Sequence, residues 1–347
     1  MVGYIARAGY EEAKILINRT PLNDLIDDEK TEVALKEKFK LVLEAREYAN
    51  GIGLNAKGSF SDYSIVENED LLWVINACPV DSLAPKTWWF PIVGRIPYRG
   101  YFDKQDAEKM EAELKSQNYD TFLRSSSAFS TLGWFDDPLL STTVKHDHIT
   151  LVDTVIHEIL HNTIWVKNHV PFNESLANFV GAKGAIELYT AKNDLELSTN
   201  ANNRWLKEIA FAEFLESLAK ELTAIYETSK KENLPLEDLK SKKDKIIKAR
   251  VSQWLEKHGK GNDTKKQSIS LNNATIMAQQ IYLTKPWIFQ ELYDLNGSSL
   301  KSFIELCKKL ADKINRENKP PYELFQEYID CQKLNPSDNN HSIDVCL

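Results

Sequence analysis

What is scarce in this chain narrows its class before any motif is read. Its 347 residues carry four cysteines, Cys78, Cys307, Cys331 and Cys346, and none forms a Cys-x-x-Cys pair. That excludes a disulfide-built miniature fold and a thiolate metal cluster. Buried or free thiols are expected, with Cys331 and Cys346 spaced to staple the C-terminus only if the compartment oxidises. No run approaches the ~20 apolar residues needed to cross a bilayer, and no charged segment followed by an apolar one opens the chain. The reading is of a protein without a transmembrane segment, whose start fits either a cytoplasmic protein or one trimmed of an export sequence. Positive charge is also short: 43 Lys and Arg against 51 Asp and Glu leave a net charge of −8, which argues against a nucleic-acid partner. The one lysine-dense stretch, Lys240 to Lys248, is interrupted by Asp244 and follows Glu237 and Asp238, and reads as a solvated helix face.

What is present is enough to build a core. Hydrophobic residues make up 42% and charged residues 27%, the ordinary globular balance, and the length allows a catalytic core with a second helical unit. From Tyr4 to Asn50 apolar residues recur every three or four positions, predicting two or three helices broken at Thr20-Pro21. Between residues 62 and 102, Leu71 to Ile75 and Trp88 to Val93 are short β-type runs punctuated by Gly and Pro. Ala107 to Gln117 reads as a surface helix. Trp205 to Lys230 and Leu236 to His258 read as an antiparallel helical hairpin turning at Asn233-Leu234-Pro235. Asn-rich Thr199 to Asn203 suggests a division into a catalytic core over 1–200 and a helical region over 201–347 packing over the cleft.

The chemistry concentrates in His157-Glu158-Ile159-Leu160-His161. Val152, Val155, Ile156, Ile159, Leu160 and Ile164 form an apolar stripe without Gly or Pro, so a helix runs through both histidines and places them one turn apart on one face. Two imidazoles so placed can share one zinc ion, and the neighbouring Glu158 can reach the zinc's water as general base without being a ligand. A third ligand comes from Glu174, where Pro171 ends a loop and Asn173 can cap the next helix; His169 is the rival. Tyr282, Tyr101, Tyr98, His146 and His148 are weighed as donors to the developing oxyanion, with Tyr282 preferred. Ser126 to Leu132 reads as an edge strand able to pair with an extended peptide, Asn178 as a group able to orient a ligand histidine, and Asp136, Asp137 and Asp153 as acidic groups near the site.

His-Glu-x-x-His followed by Asn173-Glu174-Ser175-Leu176-Ala177 resembles the glutamate-zincin superfamily. The text from about Tyr4 to Tyr189 is similar to a family of bacterial zinc aminopeptidases, often predicted lipoproteins. The matching blocks are Trp88 to Gly94, Pro97 to Phe102, Phe129 to Leu140, the zinc motif and Phe172 to Ser175, with an echo at Asn272-Asn273-Ala274 and Tyr282. The resemblance implies an α+β zincin-like core with a small mixed or antiparallel sheet, one Zn2+ held by His157, His161 and Glu174, and a peptide substrate. It also implies a lipid anchor on a longer precursor and a place in the bacterial envelope or periplasm. Competing readings are a catalytically silent zinc-stabilised scaffold and a zinc amidase acting on non-peptide substrates.

Overall fold

The computed structural model describes residues 16–66, 72–90, 94–126, 136–258, 269–334 and 346. They belong to two compact units interleaved along the chain, one drawn from Met1–Leu71, Ser127–Trp205 and Pro286–Leu347, the other from Leu72–Ser126 and Leu206–Lys285. The architecture is the expected mixed α+β one, mainly helical with small sheets.

In the first unit, β1 (Arg19–Pro21), β2 (Asp62–Ser64) and β8 (Leu139–Leu140) form a mixed sheet, with β1 antiparallel and β8 parallel to β2. Thr20-Pro21 breaks the helical run as expected, and Pro21 lies in the edge strand, where its missing N–H costs no ladder bond. The helices of this unit are α1 (Leu22–Asp27), α2 (Val33–Gly51), α4 (His148–His161), α5 (Val170–Ala191), the first turns of α6 (Leu195–Glu232), α9 (Pro286–Leu295), α10 (Leu300–Glu317) and α11 (Pro321–Leu334). Residues 199–203 lie inside α6, and the chain passes from one unit to the other at Trp205.

α4 is apolar on most of its circumference, with Ile149, Leu151, Val152, Val155, Ile156, Ile159 and Leu160 buried. Such a helix is stable only when enclosed. Its start is fixed by Asp147, whose carboxylate accepts from Ile149 N at 3.1 Å and Thr150 N at 3.2 Å and is itself gripped by Arg204 at 2.8 Å. α5 lies between α4 and an aromatic core. Phe172 meets Phe289 and Phe325 with ring centroids 5.6 and 5.1 Å apart, and Phe179 meets Trp205 and Phe303 at 5.6 and 5.0 Å. These six side chains are all fully buried. Burying each stabilises the unit by roughly 2–3 kcal/mol, so α5 is anchored from behind while its other face meets α4.

One thiol expectation is corrected: Cys331 of α11 and Cys346 are joined in a disulfide, their Cα atoms 5.6 Å apart, within the reach of such a bond. Cys78 and Cys307 are buried and free.

In the second unit, β3 (Leu72–Pro79) is the centre of an antiparallel sheet ordered β6-β3-β7, with β6 (Arg99–Tyr101) and β7 (Tyr119–Ser126) beside it. α3 (Lys104–Ser116) and α8 (Asn273–Tyr282) pack on this sheet. From the apolar run that starts at Trp88, β4 (Trp88–Phe90) pairs antiparallel with β5 (Gly94–Ile96) in a separate two-stranded sheet, and residues 91–93 lie outside the described ones. The remainder of α6 and α7 (Leu236–His258) form the expected hairpin. Arg250 reaches Ser217 at 2.7 Å, Phe211 meets Trp254, and Asn233 takes the left-handed conformation at the turn (φ 52°) that asparagine tolerates.

The lysine-dense stretch is corrected at one position. Lys243, only 3% exposed, donates to Asp120 Oδ2 at 2.6 Å. The same carboxylate oxygen accepts from Asn273 N at 3.0 Å, while the Asn273 side chain donates to Pro79 O at 2.8 Å and accepts from Tyr226 OH at 2.7 Å. The polar cluster thus ties α6, α7 and α8 to β3 and β7. Removing one member of a buried pair leaves the other charge uncompensated. Lys243→Ala is therefore expected to destabilise this unit by about 3–5 kcal/mol, seen as a lower urea midpoint, whereas Lys242→Ala, on the exposed face, should leave the midpoint within error.

Candidate metal centre

The chain reverses between α4 and α5 through residues 162–169, and each turn of that reversal is tied. Val166 N donates to Asn173 Oδ1 at 2.9 Å, and Asn173 Nδ2 donates back to Val166 O at 2.8 Å. Asn315 of α10 brackets the same loop, accepting from Lys167 N at 3.0 Å and donating to Trp165 O at 2.9 Å. The sequence reading of Asn173 as a helix cap is corrected: α5 starts earlier, at Val170 with Pro171 in its first turn, and Asn173 is a buried strut from the helix to the loop. At the far end, Tyr189 OH donates to His148 O at 3.0 Å, so the two helices run antiparallel along their length.

This seam brings Glu174 against both motif histidines. His157 Nε2 lies 3.3 Å from Glu174 Oε2, and His161 Nε2 lies 3.7 Å from Glu174 Oε1. One ligand atom from each of the three falls within 4.8 Å of the others. The two separations decide what the group is built for. Charge-assisted hydrogen bonds close to about 2.7–2.9 Å. Two ligands of one tetrahedral zinc, bonded at about 2.0–2.1 Å, stand roughly 3.3–3.4 Å apart. The observed spacing is nearer the second, and two imidazole nitrogens with a carboxylate oxygen are a donor set that suits such an ion. The His157 and His161 rings stand nearly perpendicular, 83° with centroids 5.1 Å apart, and His161 lies edge-on to Trp165. His169 holds the residue position preceding α5 and is not part of the group.

At this site two buried polar atoms, Glu158 Oε2 and His161 Nδ1, have no hydrogen-bond partner among the described residues. Leaving a buried acceptor unpaired costs about 1–3 kcal/mol, so such an atom calls for a water, an ion or a reacting group beside it. Glu158 is next to His157 and is not among the three that converge.

The electrostatics follow from burial and close opposite charge. Burial pushes the His157 pKa down, but the adjoining Glu174 carboxylate and the charges of Glu158 and Asp153 outweigh it and raise it to about 9. Burial pushes Glu174 up, and the two histidines reverse this, holding its carboxyl well below the usual range. Without metal the group is therefore an ion pair, with the proton on His157.

Other residues singled out from sequence have mainly structural places. Asp136 accepts from Gly58 N at 3.0 Å and the Asp137 carbonyl from Phe60 N at 2.7 Å, fixing the 58–60 turn. The backbone carbonyls of His146 and His148 accept from Lys38 and Tyr189. Asn178 is half-buried one turn after Glu174, and Asp153 one turn before His157. Tyr98, Tyr101 and Tyr282 belong to the second unit, Tyr282 as the half-buried last residue of α8. The expected edge strand from Ser126 to Leu132 is described only at Ser126, the end of β7; residues 127–135 lie outside the described ones. Asn315 and Arg204, which hold the loop and the cap, were not anticipated. Each acts on a segment far away in sequence, and no local pattern marks it.

Fold and site together define a mixed α+β protein with a helix-borne His–His–Glu group that could hold a metal ion, as in the zincin motif. The chain belongs to the family described as "Putative aminopeptidase", whose model matches residues 3–320. No curated protein and no solved structure matches it.

The pKa directions set a pH dependence. The raised His157 pKa contributes stability to the metal-free protein that is complete below about 6.5 and lost as pH rises through about 9. The depressed Glu174 contributes stability above its ordinary range near 4.5 that is lost as pH falls below it. A divalent metal must displace the His157 proton, so titration calorimetry at pH 7.5 in buffers of different ionisation enthalpy should register release of about one proton. Affinity should rise roughly tenfold per pH unit and level off above pH 9. A proton-neutral binding event at pH 7.5 would contradict this charge assignment.

Proposed function

We propose that this chain is a zinc-dependent metallopeptidase, acting as an aminopeptidase on peptide substrates, with His157, His161 and Glu174 as the zinc ligands and Glu158 as general base. The observation that carries the reading is the convergence of two imidazole nitrogens and one carboxylate at ligand spacing, beside a buried Glu158 oxygen with no partner among the described residues. Family membership supports the peptide substrate.

When bound, zinc supplies Lewis acidity for the scissile carbonyl and lowers the pKa of water from 15.7 toward 7. Glu158 supplies the complementary function. Fixed on α4 next to His157 and with no hydrogen bond at Oε2 from any described residue, its carboxylate can take a proton from the attacking water and return it to the leaving amine. Burial around His161 and Glu174 keeps bulk water from screening these charges. The tied loop and the aromatic anchor behind α5 hold the ligands in place before substrate arrives, so that little reorganisation remains for the reaction itself.

From the family echo at Tyr282 we assign that residue the part of oxyanion donor. Location is likewise a proposal: the Cys331–Cys346 disulfide suits an oxidising compartment such as the bacterial envelope or periplasm. No described helix is long and apolar enough to cross a membrane.

Zinc content and hydrolysis of a mixed peptide library, measured together, test the proposal. Wild type and Glu158→Gln should each carry one zinc, with hydrolysis in the variant at least 100-fold slower. Equal rates would remove Glu158 from the mechanism, and zinc without hydrolysis of any peptide would favour a scaffold or an amidase. Tyr282→Phe should retain zinc and lower kcat about 100-fold, and an unchanged kcat would end its assignment.

A further inference from the structure

The metal ligands share their helix faces with a second contact. On α4, Asp153, His157 and His161 follow one another at four-residue steps. On α5, Gly181 lies seven residues beyond Glu174, two turns along the same face. Where these faces meet away from the ligands, the helices touch almost backbone to backbone. A Cβ placed on Gly181 would stand 2.1 Å from Asp153 Oδ1 and 2.7 Å from the Asp153 carbonyl oxygen. The first overlap can be relieved by turning a side chain. The second is with backbone, and restoring ordinary contact at 3.4 Å would move α4 and α5 apart by about 0.7 Å.

We propose that Gly181 is a positioning residue for the metal centre: by letting α5 lie directly on the α4 backbone at Asp153, it sets the spacing that brings Glu174 within reach of His157 and His161. The inference rests on the metal-site reading above. Gly181 is roughly 10 Å from Glu174 along the helix, and a rigid helix transmits a shift over that distance. Metal–ligand bonds tolerate only about ±0.2 Å, so a separation of this size weakens coordination directly. The glycine has no other local justification. It sits inside a helix, where alanine would be the better helix former, and its φ is not in the left-handed region. Gly184, one turn on, provides the contrast: the nearest atoms to a Cβ there all belong to the Ile156 side chain, Cδ1 at 2.7 Å and Cγ2 at 3.1 Å, and none to backbone.

The test uses the full chain as wild type, Gly181→Ala and Gly184→Ala, each checked for helix content by circular dichroism. Zinc affinity is measured by competition with a chromophoric chelator, and ligand geometry by the visible absorption of the cobalt(II)-loaded protein. Gly181→Ala should bind zinc 10–100-fold more weakly than wild type, with an altered cobalt spectrum, as expected when the support of a ligand is disturbed. Gly184→Ala should stay within about threefold of wild type with the wild-type spectrum. If Gly181→Ala does not fold, the double variant Asp153→Ala, Gly181→Ala keeps only the backbone overlap and carries the same expectation. Wild-type affinity and spectrum in the Gly181 variant overturn the inference while leaving the metal site standing. Failure of the wild type to bind zinc overturns the metal-site reading, and this inference with it.

Discussion

The candidate metal centre depends on how closely α4 and α5 approach. Two histidines one turn apart are common on helices; a carboxylate held against both, 3.3 and 3.7 Å away, requires a second helix pressed onto the first along its length. Apolar burial drives that approach. α4 is enclosed on most sides, and α5 is pushed from behind by an aromatic cluster whose members are almost wholly withdrawn from water. Against this drive stands the cost of gathering ionisable groups in a poorly solvated place. The arrangement persists because each charge faces an opposite one: Glu174 is stabilised by the histidines, and His157 by Glu174 with Glu158 and Asp153 nearby.

Polar side chains then determine where the helices begin and end. Asp147 starts α4 and is held by Arg204, Asn173 and Asn315 bind the connecting loop, and Tyr189 ties the end of α5 to the start of α4. These bonds are individually worth about 1 kcal/mol, less than the burial of a single Phe. Their contribution is directional, since burial alone would accept several helix registers and only one places Glu174 between His157 and His161.

Much of the site was legible because its signals are local. The four-residue step of the histidines, the unbroken apolar stripe and the loop before Asn173-Glu174 all lie within thirty residues and follow from helix geometry. Legibility fell wherever a partner was distant in sequence. Lys243 read as solvent-facing because its neighbours are lysines, yet its partner Asp120 is 123 residues away and its side chain is buried. Asn173 read as a cap because asparagine favours that position, yet Pro171 starts the helix earlier and the side chain serves Val166 instead. The mixed α+β class survived these misreadings because it depends on the alternation of apolar periods, which none of them altered.

The most direct measurement is X-ray absorption at the zinc edge of the zinc-loaded protein, combined with elemental analysis. One zinc per chain is expected, with a shell of nitrogen and oxygen at about 2.0–2.1 Å, imidazole scattering from two rings, and no sulfur. Loss of one imidazole in His161→Ala should appear as weaker imidazole scattering. A sulfur shell at about 2.3 Å, or a wild-type protein that takes up no zinc, would contradict the assignment of His157, His161 and Glu174 as its ligands.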